Sequence, residues 1–250
     1  MRPANSNAKQ LAQPELLDKA VVLSNYLKTL SEKQLVKTMH VSFKLADRTH
    51  TLITDWTDNP ISQRVAIDSF LGDIYSGLQV PDWSTTDRIY ANDCLRILSG
   101  LYGILRPLDA IYPYRLEMGY KLPGNKFSNL YNYWGDSIAK TLPADSLIIN
   151  LAAAEYSKVI TDYVDSSRII TPRFLTINKK TNQPSFIVVH AKIARGAFAC
   201  WLIKDKISNP KRLRDFKDLG YLYDEELSSG NSPVFTCKEF GGIGLSLRLK

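Results

Sequence analysis

The spacing of apolar residues changes along the chain, and this change limits the possible folds more than any other feature. From 14 to 30 apolar residues recur at helical spacing, and a second helical stretch opens at Ser31 and reaches about Ala46. The second half instead holds short runs rich in Ile and Val between turn residues, as is typical of strands, at 146–151, 168–177 and 185–189. The sequence therefore predicts a mixed α/β fold.

Further elements follow from caps and breakers. Helices are predicted over 61–70, from the capping sequence 84–87 towards Leu98, and over 152–160 and 195–207, with Asn209-Pro210 as a stop. A last strand is predicted at 234–238.

Length and composition favour a folded chain with a substantial core. The chain has 250 residues, of which 44% are hydrophobic. We expect a flexible lead-in over 1–13, a single domain over 14–240 and a flexible tail over 241–250. Three well-separated cysteines favour a reducing cytoplasm over a disulfide framework. The first residues lack the apolar core of a signal peptide and the longest apolar run, 147–154, is too short to cross a bilayer, so no membrane role is expected.

The charge balance is basic. The formal charge is +7 and the isoelectric point is about 9.2, which suits either a polyanionic partner or plain solubility. Part of the charge lies in one run with only Asp205 and Asp215 as nearby offsets: Lys204, Lys206, Lys211, Arg212, Arg214 and Lys217. Such a run is either a solvated face or a phosphate-contacting surface.

The stretch 95–109 contains two glycines spaced three apart. We interpret it as a helix-hairpin-helix, in which one helix ends at Ser99 and the next resumes at Ile104. The glycines would let backbone N–H groups approach a phosphate, and Arg106 would add a charge. The alternative is a buried turn whose glycines only permit close packing. The predicted nucleic-acid-binding residues are Ser99, Gly100, Leu101, Tyr102, Gly103, Arg106, Lys192 and Arg195.

Several separated motifs occur in one order along the chain. They are Phe-Leu-Gly-Asp-Ile-Tyr-Ser-Gly-Leu at 70–78, the stretch 98–109, Pro-Tyr-Arg-Leu-Glu-Met-Gly at 113–119, Leu-Tyr and Trp-Gly-Asp at 130–136, Ile-Asn-Leu-Ala with Glu-Tyr at 149–156, and Ala-Arg-Gly at 194–196. Together they resemble the YaaA peroxide-stress family, from about Pro14 to about Lys238.

The resemblance implies a fold largely peculiar to that family, with a helix-hairpin-helix beside a basic cleft. It also implies a cytosolic protein that binds DNA through the phosphate backbone, protects cells from hydrogen peroxide and keeps intracellular iron low. The family's first strand and its lysine-containing Ser-Pro-Ala segment have no match before Pro14. An upstream start codon or a disordered N-terminus is therefore expected. Ala153, Ala154 and Ile193 replace polar residues usual in the family.

Six polar residues form the basis of a competing interpretation, a small-molecule or nucleobase-modifying enzyme with a polar cleft. The candidates are Asp73, Tyr75, Arg115, Glu117, Glu155 and Lys192. Acid–base work needs a carboxyl group with a shifted pKa, whereas Arg115 and Glu117 could equally form a simple ion pair. Whether the protein is an enzyme is left open.

No cofactor or metal is predicted. His40, His50 and His190 are far apart in the sequence, and no pair of ligands has metal-binding spacing. The chain also lacks a Walker loop, a dinucleotide fingerprint and a GxSxG elbow. Any small-molecule ligand is unknown.

Overall fold

A computed structural model describes residues 1–2, 12–59 and 63–246. The chain divides into two compact units, both discontinuous in sequence. Unit 1 comprises Met1–Phe70, Asn92–Ala144 and Ala152–Val164, and unit 2 comprises Leu71–Ala91, Asp145–Leu151 and Asp165–Lys250. The predicted mixed α/β class is confirmed. The predicted domain boundaries stay predictions.

Unit 1 begins with three helices where two were predicted. They are α1 (Leu17–Leu27), α2 (Glu32–Met39) and α3 (Phe43–Thr54). His40 has a left-handed φ of 50°, which ends α2, and the Ser42 side chain accepts the Leu45 N–H and so caps α3. The predicted continuous helix to Ala46 is therefore wrong at its last turns.

The rest of unit 1 alternates short strands and helices. Within the region predicted helical at 61–70, of which 61–62 lie outside the described residues, the structure has the strand β1 (Arg64–Val65) and only a short helix, α4 (Ala66–Ser69). Two strands follow, β2 (Ile97–Ser99) and β3 (Gly103–Leu105), and then β4 (Ala110–Ile111), which pairs antiparallel with β1. The unit ends with α7 (Leu130–Trp134) and α8 (Ala154–Thr161).

Unit 2 is built around a four-stranded sheet. It contains α5 (Asp73–Leu78) and most of α6 (Thr85–Cys94), then the parallel pair β5 (Ile148–Ile149) and β6 (Ile169–Ile170). The sheet has the order β8-β7-β10-β9, and only its β7–β10 pair is parallel. Its strands are β7 (Arg173–Ile177), β8 (Pro184–Ser185), β9 (Leu222–Ser229) and β10 (Ser232–Cys237), and α9 (Val188–Lys204) packs on β7.

Aromatic side chains form the core of unit 2. Phe174 of β7, Phe198 of α9 and Phe235 of β10 are buried with Phe216 and Tyr221, and their rings stack or meet edge to face. Such ring pairs add to the stabilisation from apolar burial. The strand predicted at 185–189 is wrong beyond Ser185, because α9 already begins at Val188. In the tail predicted from 241, Ser246 is buried, and 247–250 lie outside the described residues.

Candidate functional site

The predicted helix-hairpin-helix is a β-hairpin. β2 and β3 pair antiparallel, with Ile97 opposite Leu105 and Ser99 opposite Gly103. Helix α6 ends at Cys94, and no helix resumes at Ile104, because the residues on the two sides of the turn pair their backbone groups with each other as antiparallel strands. The helix-hairpin-helix prediction is thus corrected at these residues.

The turn of this hairpin is buried. All five of its residues, 99–103, are buried, and the Tyr102 side chain is fully enclosed. The Tyr102 N–H donates to Ser99 Oγ at 2.8 Å, and the Tyr102 hydroxyl accepts hydrogen bonds from Trp56 Nε1 at 2.9 Å and the Tyr112 N–H at 3.0 Å. These groups stabilise the core of unit 1, as in the alternative of a buried turn.

Both glycines of the turn are required by close neighbours. A Cβ at Gly100 would lie 2.4 Å from the Leu116 carbonyl oxygen. Gly103 has a φ of +72°, and a Cβ there would lie 2.9 Å from the ring of Trp134, whose Nε1 donates to the Gly100 carbonyl at 3.1 Å. Three of the motifs therefore pack on one another, and this packing holds the segment that carries Glu117.

Arg106 is already paired within the same region. Its Nε lies 3.1 Å from Asp109 Oδ1, and its backbone N–H donates to Oδ2 of the same carboxylate at 2.7 Å. Burial raises the pKa of Asp109, and the hydrogen bonds and charge of Arg106 oppose that rise. Arg106 thus acts as the partner of a buried carboxylate.

Two carboxylates and a tyrosine form a polar cluster at the other end of the same packing. The Tyr156 hydroxyl donates to Glu117 Oε2. Glu155 Oε1 accepts the Gly119 N–H at 2.8 Å, and the backbone carbonyl of Glu155 accepts the Tyr131 hydroxyl at 2.9 Å. The start of α8 and the segment 113–119 are thereby joined through their side chains.

The electrostatics of the cluster keep Tyr156 protonated. Burial and then the adjacent charge of Glu117 raise the pKa of Tyr156 far above its usual range. Arg115 has a buried Nε with no hydrogen-bond partner among the described residues. Burial raises the pKa of the neighbouring Tyr120, and the charge of Arg115 together with a hydrogen bond from it partly offsets this rise. The cluster can therefore present a carboxylate that accepts a hydrogen bond from a protonated tyrosine, or orient a polar ligand.

A pocket of about 610 Å³ in unit 1 lies beside this cluster. Gly119 and Tyr120 line it, together with Lys37, His40 and Lys121 among others. Glu117 and Glu155 are not among its lining residues. The carboxylates therefore adjoin the pocket through Gly119, which lines it and whose N–H donates to Glu155.

The other candidates belong to unit 2. Asp73 is buried at the first residue of α5 and accepts a hydrogen bond from the Ser246 hydroxyl at 3.4 Å. Tyr75 is half-buried on the same helix, and Lys192 and Arg195 are half-buried on α9. Burial lowers the pKa of Arg195. The structure thus brings Arg115, Glu117 and Glu155 together in unit 1.

Helices α5 and α9 pack with their backbones in contact. A Cβ at Gly77 would lie 2.0 Å from the Ile193 carbonyl oxygen, and one at Gly196 would lie 1.9 Å from the Ile74 carbonyl oxygen. Both glycines belong to family-type motifs, so those motifs record helix packing. Ile193, which stands where a lysine is usual, is fully buried at this contact.

The basic run in unit 2 is exposed. All six of its cations are exposed, while Leu213 and Phe216 within it are buried in the aromatic core.

Tyr156 is the residue of the candidate sites that sequence reasoning missed. Its position next to Glu155, inside one of the motifs, was the available signal.

The described part of the chain holds neither a metal-binding cluster nor a membrane-spanning helix. Across 1–2, 12–59 and 63–246, no three His, Cys, Asp or Glu side chains are grouped so as to hold a metal ion. In the same residues no helix is long and apolar enough to cross a membrane.

These features define a mixed α/β protein with a buried glycine hairpin and a carboxylate–tyrosine cluster. A family model described as "Peroxide stress protein YaaA" matches residues 1–227. A UPF0246 protein of Salinispora tropica is 54% identical over 248 residues, which cover 99% of this chain and 94% of that protein. The chain belongs to the YaaA peroxide stress protein family, so the resemblance is confirmed and the family links the chain to the peroxide stress response.

Proposed function

We propose that the protein serves the peroxide stress response by binding the phosphate backbone of DNA through residues 204–217, which we name the basic segment. The observation that carries this proposal is the exposure of all six cations in fourteen residues of chain, against two carboxylates at Asp205 and Asp215. A concentrated net charge of this kind attracts polyanions and releases their counterions.

The basic segment is held on a rigid base. Leu213 and Phe216 anchor it in the aromatic core, and the turn of 3₁₀ helix Pro210–Asp215 is capped by Asn209, whose side chain accepts the Lys211 N–H at 3.0 Å. Arg214 Nε donates to the Lys211 carbonyl at 3.2 Å, and its guanidinium lies 6.0 Å from the centroid of the Tyr223 ring. Preordered cations lose less side-chain entropy when a phosphate binds.

The contacts would be largely independent of sequence, because ammonium and guanidinium groups meet phosphates and not base edges. The buried hairpin is not part of this surface. The proposal therefore moves the predicted DNA contact to the basic segment, which would form part of the basic cleft that the family resemblance implies. Lys192 and Arg195 remain predicted contacts.

A salt titration tests the proposal. In Lys211→Gln/Lys217→Gln, the slope of log affinity against log salt should fall by about 0.9 for each phosphate that the variant no longer neutralises. Lys33→Gln/Lys44→Gln removes the same charge from exposed positions in unit 1 and serves as the matched control. Fluorescence anisotropy with duplex DNA measures both. Equal slopes in the two double variants, or no binding at low salt, would exclude the basic segment.

The physiological part of the proposal is that DNA binding in the cytoplasm limits peroxide damage, and that intracellular iron is kept low by an indirect route. Labile iron and survival after a peroxide challenge should both worsen when Lys211→Gln/Lys217→Gln replaces the natural chain. Unchanged survival of this variant would show that DNA binding through the basic segment does not protect the cell from peroxide.

The carboxylate–tyrosine cluster favours a second candidate function, a small-molecule or nucleobase-modifying enzyme. Its specific support is the Glu117–Tyr156 hydrogen bond beside the pocket lined by Gly119 and Tyr120. A carboxylate that accepts a hydrogen bond from a permanently protonated tyrosine can serve as a general base or fix a substrate.

Glu117→Gln separates the two candidates, because the amide preserves the shape of the side chain and removes its charge. Loss of peroxide protection, with DNA affinity and unfolding temperature unchanged, would support an enzyme. Full protection would show that the cluster only stabilises the fold.

A further inference from the structure

We propose that unit 2 binds a nucleoside phosphate in a pocket that none of the motifs marks. The pocket has a volume of about 600 Å³ and opens between the β7–β8 hairpin, the start of α9 and the segment after β10. Small-molecule sites commonly have volumes of about 300–1,000 Å³. We name it the β7–α9 pocket. Its ring surface, its cations and its rigid frame together suit such a ligand.

The ring surface consists of His190 and Phe240. Their rings are stacked with centroids 4.0 Å apart and an interplanar angle of 19°. His190 Nδ1 lies 2.9 Å from the Thr176 hydroxyl, so Nε2 is the nitrogen left for a ligand within the described part of the chain. The rim adds exposed apolar surface, with Ile187 39% and Ile243 54% exposed. A planar, partly apolar ligand suits this combination.

The cations stand beside the ring surface. Lys179, Lys180 and Lys238 line the same pocket, and Glu239 is its one carboxylate in the described residues. Lys179 Nζ lies 3.3 Å from Glu239 Oε1, and both side chains are largely exposed, at 78% and 84%. An ion pair this exposed contributes little, about 0–1 kcal/mol, so a phosphate can displace the carboxylate from Lys179. A ligand with both a planar ring and a phosphate therefore satisfies both surfaces.

The frame of the pocket is fixed without a ligand. The turn between β7 and β8 is closed by the Asn178 N–H, which donates to the Gln183 carbonyl at 2.9 Å, and Asn178 Oδ1 accepts the Lys180 N–H at 2.9 Å. At Gly242 a Cβ would lie 2.5 Å from Phe240 Cζ, so the glycine lets the Phe240 ring lie where it does. Preformed walls of this kind lower the entropic cost of binding.

Isothermal titration calorimetry with AMP, adenosine and inorganic phosphate as separate probes tests the proposal. We expect AMP to bind with an affinity about tenfold or more above either part alone, because only AMP uses both surfaces. Lys180→Gln/Lys238→Gln should weaken AMP about tenfold, and Phe240→Leu should weaken it similarly through loss of the ring. Lys211→Gln/Lys217→Gln, which removes equal charge from the basic segment, should leave AMP affinity unchanged.

The site is overturned by absence of saturable AMP binding up to about 1 mM, the weak end of specific affinities. It is also overturned by AMP binding that neither set of pocket variants alters. If Phe240→Leu fails to fold, two measurements still test the site. They are the AMP affinity of Lys180→Gln/Lys238→Gln and the changes that AMP causes in the amide chemical shifts of residues 176–190 and 238–243. A nucleic-acid strand that ends in a 5′-phosphate also carries a planar ring and a phosphate. Comparing its affinity with that of AMP shows whether the pocket prefers a free nucleotide or a strand end. Because the variants differ, failure here leaves the DNA proposal standing.

Discussion

The β2–β3 hairpin of unit 1 and the basic segment of unit 2 differ in how well the sequence pattern of each indicates its exposure in the structure. The hairpin has the most conspicuous pattern of the chain, and its turn is entirely buried. The basic segment has the sequence of an ordinary solvated charge run. In the structure its cations are exposed, and Leu213 and Phe216 anchor the segment in the aromatic core. Glycines in a motif thus mark close packing here, whereas the exposed cations of the basic segment belong to no motif.

The largest expected effect comes from Trp134, which covers the hairpin. Trp134→Ala should lower the free energy of unfolding by about 3–5 kcal/mol, because it empties a large buried volume. It also removes the hydrogen bond to the Gly100 carbonyl. Urea denaturation measures the loss. A change no larger than that of an exposed substitution would mean that the hairpin is not packed as described.

The next effect separates packing from contact with DNA. Gly100→Ala should cost about 1–3 kcal/mol, because the added methyl overlaps the Leu116 carbonyl. Gly244→Ala is the matched control, since a Cβ there has no neighbour within 4 Å. At temperatures where Gly100→Ala remains folded, its DNA affinity should equal that of the natural chain. Reduced affinity in the folded variant would restore the hairpin as a DNA contact.

A smaller, stabilising effect is expected at the start of α8. Ala153 has the extended backbone of an N-cap (φ −67°, ψ 152°) but no side-chain cap, whereas Ser31 and Ser42 cap α2 and α3 from the same conformation. Ala153→Ser should therefore raise the free energy of unfolding by about 0.5–2 kcal/mol. Thermal denaturation checks this, and Ala154→Ser, inside the helix, is the control. Equal shifts would show that no cap forms.

How much the sequence could predict follows from these residues. The capping sequence at 84–87 predicted the start of α6 correctly, because Ser84 and Asp87 exchange hydrogen bonds locally, but the helix ends at Cys94, before the predicted Leu98. The last strand was also predicted, and β10 spans Ser232–Cys237. The hairpin was misread, because the contacts that bury Gly100 come from Leu116 and Trp134, distant in sequence. The same holds for the His190–Phe240 stack, whose partners are fifty residues apart.

For the basic segment we expect the reverse of the hairpin result. Lys211→Gln/Lys217→Gln should change the free energy of unfolding by no more than about 0.5 kcal/mol, because both side chains are exposed. Its DNA affinity should fall while that of folded Gly100→Ala does not. Denaturation and anisotropy on the same preparations give both values, and a large loss of stability would make the segment structural.

The smallest expected effect is the pH dependence of stability that His190, a half-buried residue of unit 2, contributes. Burial lowers the pKa of His190 from its ordinary value of 6.5, so the folded chain takes up this proton less readily than the unfolded chain. The stability this group contributes is therefore fully present above pH 6.5 and is lost as the pH falls from 6.5 to the folded pKa. Denaturation of the natural chain and of His190→Gln at several pH values isolates the difference, since every other group titrates in both. The gap between the two curves should narrow towards acid pH, and an NMR titration of the His190 ring should give a midpoint below 6.5. A midpoint above that value would mean that the His190 ring is not buried as described, and the ring surface of the β7–α9 pocket would then lack its described geometry.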